Sequence, residues 1–301
     1  MKEIEFDLLT EPWIRVRLKD NTVQEVSLTE ALVSAQDYVD LAGEMPTQDA
    51  AVLRLLLAVL FTVFSRVNVK GEPEPLEKRG QALRRWSELW QLGHFPAAPI
   101  RDYLEQWKDR FWLFHPTHPF WQVPTLCNGI AFGGKKLNGE RAESGNKTPL
   151  FQNVSKTECE VLSYAQAARW LIYQNGYDER GGRPKAGNKP RHGVGWLGQI
   201  GFVAVKGKNL YETLLRNMAF PTEQDALREE QQPCWERAQI EKSGRTFDPP
   251  IPTHSTETLR NSARRGRVRG AGRRLLGQRK CVWGADDPLE QDIEEKREDD
   301  L

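Results

Sequence analysis

No two cysteines in this chain are spaced as Cys-x-x-Cys. The four present, Cys127, Cys159, Cys234 and Cys281, stand far apart, which argues against a compact zinc site or a disulfide scaffold and suits a reducing cytoplasm. An excess of one charge is missing as well: 43 Lys and Arg against 42 Asp and Glu leave a net charge of +1. Nucleic-acid binding therefore has no support in the total and must rest on local patches. Met1-Lys2-Glu3-Ile4-Glu5-Phe6 puts acids where a signal peptide needs an apolar core. No Gly-Lys-Ser/Thr triplet follows a glycine-rich stretch, which disfavours nucleotide hydrolysis. The most apolar run, Ala50 to Phe64, contains Arg54 and falls short of the roughly 18 to 20 apolar residues that a bilayer span requires. It is apolar on every side, which predicts a buried core helix and no membrane.

What is present begins with alternation. The 301 residues suffice for one large or two smaller domains. Ile14, Val16 and Leu18 alternate with Arg15 and Arg17, Asp20-Asn21 supplies a turn, and Val23 and Val26 return. This predicts a hairpin. Ser27 with Glu30 forms a capping box for a short helix through Val33. After a connector at Pro73 and Pro75, two helical stripes follow: Leu83, Trp86, Leu89 and Trp90, then Ile100, Tyr103, Leu104 and Trp107. Both are expected to pack on the core.

The run Phe111 to Gln122 holds His115 and His118, a spacing that suggests a metal. Each precedes Pro, which favours extended geometry, and no acidic or Cys ligand lies nearby to complete a shell. The expectation is an aromatic core turn with hydrogen-bonded imidazoles and no metal. From Cys127 to Lys156 the composition becomes polar and aperiodic, a second long loop.

A helix over about Leu162 to Asn175 carries Ser163 and Gln166 at capping-box spacing, with Gly176 as its C-cap. Tyr164, Ala167, Ala168 and Leu171 share one face. After it comes a loop running from Gly181-Gly182-Arg183-Pro184-Lys185 to Gly193-Val194-Gly195, rich in glycine and cations and without acids. Glycine lets a backbone approach a partner closely, and Arg183, Lys185, Lys189 and Arg191 supply charge for phosphates. The same composition suits a solvated, mobile surface loop, and the residues alone leave both readings open. Leu197, Ile200, Phe202, Val203 and Val205 predict a buried strand or turn-strand, and Asn209 with Glu212 caps a helix whose face is Tyr211, Leu214, Leu215 and Met218. Past Thr253, arginines from Arg260 to Arg279 give way to acids from Asp286 to Asp300, with little to bury. Such opposed blocks predict a disordered, self-pairing tail, with an arginine-rich nucleic-acid arm as the alternative.

Several separated blocks, in order, resemble the CasA family, the large subunit of the type I-E CRISPR surveillance complex Cascade. They are Phe6-Asp7-Leu8-Leu9-Thr10-Glu11-Pro12-Trp13-Ile14-Arg15-Val16, the His-Pro run through Phe120-Trp121-Gln122, Asn138-Gly139-Glu140 with Glu143-Ser144-Gly145-Asn146-Lys147, Leu162 to Leu171, Gly195-Trp196-Leu197-Gly198 and Asn209 to Asn217. The resemblance implies an α+β fold, with residues 1–253 as an incomplete mixed α/β N-terminal domain. It leaves residues 254–301 as a charged, disordered tail unlike the family, the C-terminal four-helix bundle being absent, as in a truncated or frame-shifted reading.

The resemblance also implies a non-catalytic cytoplasmic subunit without cofactor. Such a subunit reads the short motif beside a target in double-stranded DNA, mainly through the minor groove. Its implied partners are other Cascade subunits, guide CRISPR RNA and a separate helicase–nuclease. Carried over by position, Gly181, Gly182, Arg183, Lys185, Gly187, Lys189 and Arg191 form the DNA-approaching loop. Asn138, Glu140, Asn146 and Lys147 lie in the loop that anchors the subunit at the guide RNA 5′ end. Two other readings remain: an assembly platform without DNA recognition of its own, and a metal hydrolase using His115 and His118, for which no paired nucleophile and base are present.

Overall fold

The alternation at the N-terminus becomes a sheet. In the computed structural model, which describes residues 4–122, 131–132, 162–177, 197–198, 201–218, 220, 233–236, 266–269 and 280–283, β1 (Glu5–Asp7) is followed by β2 (Ile14–Arg17) and β3 (Val23–Val26). β2 and β3 pair antiparallel with Ile14 opposite Val26, and β2 also pairs with β4 (Asp40–Leu41), giving the order β3-β2-β4. Ile14 and Val16 are buried while Arg15 and Arg17 are half-buried, as a period of two demands. In the turn Asn21 adopts a φ of 67°, a left-handed conformation that Asn tolerates, and Asp20 accepts from the Thr22 amide at 2.9 Å.

Ser27 caps α1 (Leu28–Val33), its Oγ accepting from the Glu30 amide at 3.1 Å, and the Glu30 carboxylate accepts from the Tyr38 hydroxyl at 3.1 Å. The apolar run is α2 (Pro46–Arg66), buried on all sides. At 21 residues it exceeds the stretch read from sequence and is long and apolar enough to cross a membrane, but 78% of its most apolar window lies inside the fold. It is the core helix. Its N-cap, Met45, has no capping side chain; Gln48 and Asp49 reach back instead, accepting from the Glu44 and Gly43 amides at 3.0 and 2.7 Å. Its C-terminus is closed by Arg85 of α3 (Arg79–Leu92), which donates to the carbonyls of Phe64 (2.9 Å) and Val67 and pairs with Glu74 at 3.1 Å.

That closure corrects the first predicted stripe. α3 faces the core with Ala82, Arg85 and Leu89, which leaves Leu83 59% and Trp90 37% exposed. Turning Arg85 inward to the α2 carbonyls rotates Leu83 and Trp90 outward, and Trp90 is covered by Trp86, ring centroids 5.2 Å apart, and by the Arg216 guanidinium at 5.4 Å. The second stripe behaves as expected: α4 (Ala97–Gln106) buries Ile100, Tyr103 and Leu104.

β5 (Trp112–Phe114) pairs antiparallel with β1, and the His-Pro turn follows. His115 Nδ1 accepts from the amides of His118 (2.8 Å) and Thr117 (3.2 Å), and Arg110 lies 3.1 Å from His118 Nδ1. The rings stack at 5.6 Å. His115 spends its Nδ1 on the turn and His118 Nδ1 faces Arg110, and among the described residues no group of three His, Cys, Asp or Glu could hold a metal. Burial, then neighbouring His118, pushes the His115 imidazole below its ordinary pKa.

Two further helices, α5 (Tyr164–Tyr177) and α6 (Leu210–Asn217), pack on α2. Within the predicted tail, β7 (Gly266–Arg269) and β8 (Lys280–Trp283) are strands, paired with β6 (Ala131–Phe132) in the order β6-β8-β7. Composition alone predicted disorder there; at those two positions short β-prone runs, Gly-Arg-Val-Arg and Lys-Cys-Val-Trp, interrupt the charge blocks.

Candidate nucleic-acid interface

Both candidate loops are joined to α5. Residues 133–161 lead to its N-terminus and residues 178–196 leave its C-terminus, about 21 Å apart for a helix of 14 residues. Asn138, Glu140, Asn146 and Lys147, and Gly181, Gly182, Arg183, Lys185, Gly187, Lys189 and Arg191, all lie outside the described residues. What the structure describes is how their common support is built.

α5 opens with the expected capping box: Ser163 Oγ accepts from the Gln166 amide at 3.1 Å, and Gln166 Oε1 accepts from the Ser163 amide at 3.0 Å. Tyr164 donates to Glu5 at 2.5 Å and lies against the rings of Phe6 and Phe114. Phe6 carries a φ of 64°, strained for a bulky residue, beside that ring cluster. Ala167, Ala168 and Leu171 are buried as predicted, and so are Trp170, Ile172 and Arg169.

Arg169 fixes the helix. Its Nε and Nη2 grip Glu44 at 3.0 and 2.5 Å, and its Nη1 reaches Glu25 at 2.7 Å and the Trp13 carbonyl at 2.6 Å. One guanidinium thus joins α5 to β3, to the chain entering β2 and to the entry of α2. Burial raises the Glu44 carboxyl, but the hydrogen bond and charge of Arg169 outweigh it and hold the group below its ordinary value. Beside this network Arg15, Val23, Glu25, Glu44, Ser163, Gln166 and Arg169 line an open cleft of about 530 Å³. Its arginines and carboxylates balance, so it shows no preference for a charged ligand. Sequence reading missed Arg169; the available signal was a lone cation inside an apolar helical run.

The far end of α5 corrects another expectation. Gly176 is not a C-cap, because the helix continues through it to Tyr177. It is a contact point: a Cβ there would sit 2.8 Å from Leu197 Cδ1 and 3.8 Å from Ala51 Cβ of α2. Leu197 is 4% exposed. The two feet of the glycine loop, Gly176-Tyr177 and Leu197, are therefore held together against the core helix.

The strand expected after the loop does not form. Among the described residues, 201–206 have no ladder partner, Val203 is 88% and Val205 48% exposed, and only Phe202 and Ala204 pack on the core. The hydrogen bonds of Val205 come from a side chain: Asn217 Nδ2 donates to the Val205 carbonyl at 2.8 Å and its Oδ1 accepts from the Val205 amide at 2.9 Å. An amide placed this way substitutes for a neighbouring strand, which periodicity cannot reveal. Asn209 caps α6 as predicted, accepting from the Glu212 amide at 2.8 Å.

Comparison with known proteins places these features. The profile of the family described as CRISPR-associated protein Cse1 matches residues 7–283. The chain is 36% identical to the CRISPR-associated protein CasA/Cse1 of Thermus thermophilus over 237 residues, 77% of this chain and 42% of that protein. The crystal structure of Thermobifida fusca Cse1 superposes with a TM-score of 0.69 at 30% identity, covering 93% of this chain and 52% of that one. A chain described as belonging to a CRISPR RNA-guided surveillance complex shares the fold at 22% identity, with a TM-score of 0.68 over 92% of this chain and 56% of that one. This chain thus spans about half the length of the relatives it matches.

Proposed function

Because the chain belongs to the Cse1/CasA family of CRISPR-associated proteins, we propose that it serves as a non-catalytic subunit of an RNA-guided surveillance complex in the cytoplasm. There it reads the motif beside a target in double-stranded DNA and provides the surface from which a separate helicase–nuclease is recruited. The observation that carries this reading is the mounting of α5, with one candidate loop at each end and the feet of the glycine loop pinned at Gly176 and Leu197.

A rigid support is what groove reading by backbone requires. The minor groove offers a degenerate donor and acceptor pattern, so discrimination there depends on close approach and shape, which Gly181, Gly182 and Gly187 permit. Arg183, Lys185, Lys189 and Arg191 then hold the neighbouring phosphates. Base pairing to guide RNA reads the longer sequence, a division of labour known from another CRISPR effector. Asn138, Glu140, Asn146 and Lys147, before the other end of α5, anchor the subunit to the guide RNA and its bound proteins.

The test is duplex binding by the assembled complex carrying Lys185→Ala with Lys189→Ala. Removing two phosphate contacts makes the plot of log affinity against log salt shallower by about 1.8. A complex that assembles with guide RNA yet keeps its affinity and slope favours the assembly-platform reading and refutes DNA recognition by this loop.

A further inference from the structure

Among the described residues Arg85 and Arg169 are buried, Arg54 is half-buried and Arg66 is exposed, and three of these four arginines meet a carboxylate. Arg66 pairs with Glu236 at 2.7 Å, Arg85 with Glu74 at 3.1 Å and Arg169 with Glu44 at 2.5 Å. Arg54 of α2 does not. No carboxylate pairs with it among the described residues, its Nε is buried without a hydrogen-bond partner, and its guanidinium lies 5.7 Å from the Phe202 ring centroid. Burial brings its pKa down to about 10, with Tyr177 the one group acting in the other direction. The residue is partly exposed and only its Nε is fully enclosed, so the outer edge of the guanidinium still meets solvent.

The position is specific. Ala51, one helical turn earlier on α2, lies against Gly176, and Tyr177 and Phe202 flank Arg54 from the chain on either side of the glycine loop. An enclosed cation without a counter-charge is costly, whereas an anion arriving from solvent would meet a planar donor edge that is already oriented and partly dehydrated. Phe202 supports one face of that plane through a cation–π contact.

We propose that Arg54 is an anion site beneath the feet of the glycine loop, which takes one backbone phosphate of the nucleic acid. This rests on the reading of the chain as a DNA-binding subunit and adds to it a contact on the core helix, outside both loops.

A structural arginine and a ligand-binding one differ in what their loss does. In the full chain, assembled with its guide RNA and partner subunits, Arg54→Met removes the charge while keeping the apolar stem. Its melting temperature is expected to equal or exceed that of the wild type. Its duplex affinity, measured by fluorescence anisotropy from about 50 to about 200 mM salt, is expected to show a log–log slope shallower by about 0.9. Arg54→Lys keeps the slope. A Met variant that melts several degrees lower with the slope unchanged assigns Arg54 to the fold and overturns the site. If Lys185→Ala with Lys189→Ala weakens binding but Arg54→Met does not, the site falls and the wider reading stands; if the wild-type complex shows no salt-dependent duplex binding, both fall. Inorganic phosphate that raises the wild-type melting temperature as much as the duplex does, at equal ionic strength, would point to a free anion and overturn the nucleic-acid assignment.

Discussion

Replacing Arg169 with Met tests the support of both loops at its centre. The Arg169 side chain is 3% exposed and holds Glu44 through two nitrogens, Glu25 through a third contact and the Trp13 carbonyl through a fourth. Glu25 is 40% exposed and returns to water at little cost, so it contributes under about 1 kcal/mol. Glu44 is 22% exposed and keeps water and neighbouring hydrogen bonds to solvate its charge; breaking a buried pair costs about 3–5 kcal/mol, at the lower end here because the carboxylate is not fully enclosed. The orphaned Trp13 carbonyl is part of that cost. A loss of about 3–4 kcal/mol, or roughly 5–6 °C in melting temperature for a chain of this size, is expected from urea and thermal unfolding followed by tryptophan fluorescence. Arg169→Lys recovers only part of it, since an ammonium cannot make the fork.

The same variant has a pH signature. In the wild type the depressed Glu44 pKa gives stability that is present above its unfolded value and lost as pH falls through the folded one. Without Arg169, only the hydrogen bonds from its own backbone and from Gln48 remain to oppose burial, so the depression of the Glu44 pKa is lost or reduced and the variant loses less stability as pH falls. The gap between wild type and variant is therefore widest near neutral pH and narrows in acid. A gap under about 1 kcal/mol at neutral pH, or one that does not narrow in acid, refutes the assignment of Arg169 as the residue that fixes α5.

Gly176→Ala costs little, because the Leu197 Cδ1 that its Cβ meets at 2.8 Å can rotate away and helix propensity gains about 1 kcal/mol. Gly176→Val overpacks the junction by about 1–3 kcal/mol, and proteolysis between residues 178 and 196 should accelerate as the feet separate; equal cleavage rates in the two variants would contradict the pinned junction. His115→Asn preserves an acceptor for the His118 and Thr117 amides. Because the folded His115 pKa is depressed, wild-type stability falls as pH drops below about 6.5, and the Asn variant should flatten that part of the pH profile; an unchanged profile places the titration elsewhere.

Local chemistry was legible where a residue acts on its own neighbours in the chain. Ser27, Ser163 and Asn209 each cap the helix that follows, the alternation around Val16 became a strand pair, and the Pro after each histidine kept the His-Pro turn off a helix. Leu83 and Trp90 were misplaced because the orientation of α3 is set by Arg85 reaching another helix's carbonyls, not by its own stripe. Phe202 to Val205 have the composition of a strand, but the partner that satisfies Val205 is the side chain of Asn217 on a later helix.

By itself the sequence determined the family, the buried character of α2, the caps and the cationic, glycine-rich composition of the candidate loop, since each is a property of residue order alone. Only the tertiary structure decided that Arg169 binds three separated segments, that Gly176 is a point of contact rather than a helix stop, and that Arg54 meets no carboxylate among the described residues. Those depend on which groups arrive from distant parts of the chain. The energy of an enclosed charge is set by its neighbours in space, and no spacing along the sequence carries that information.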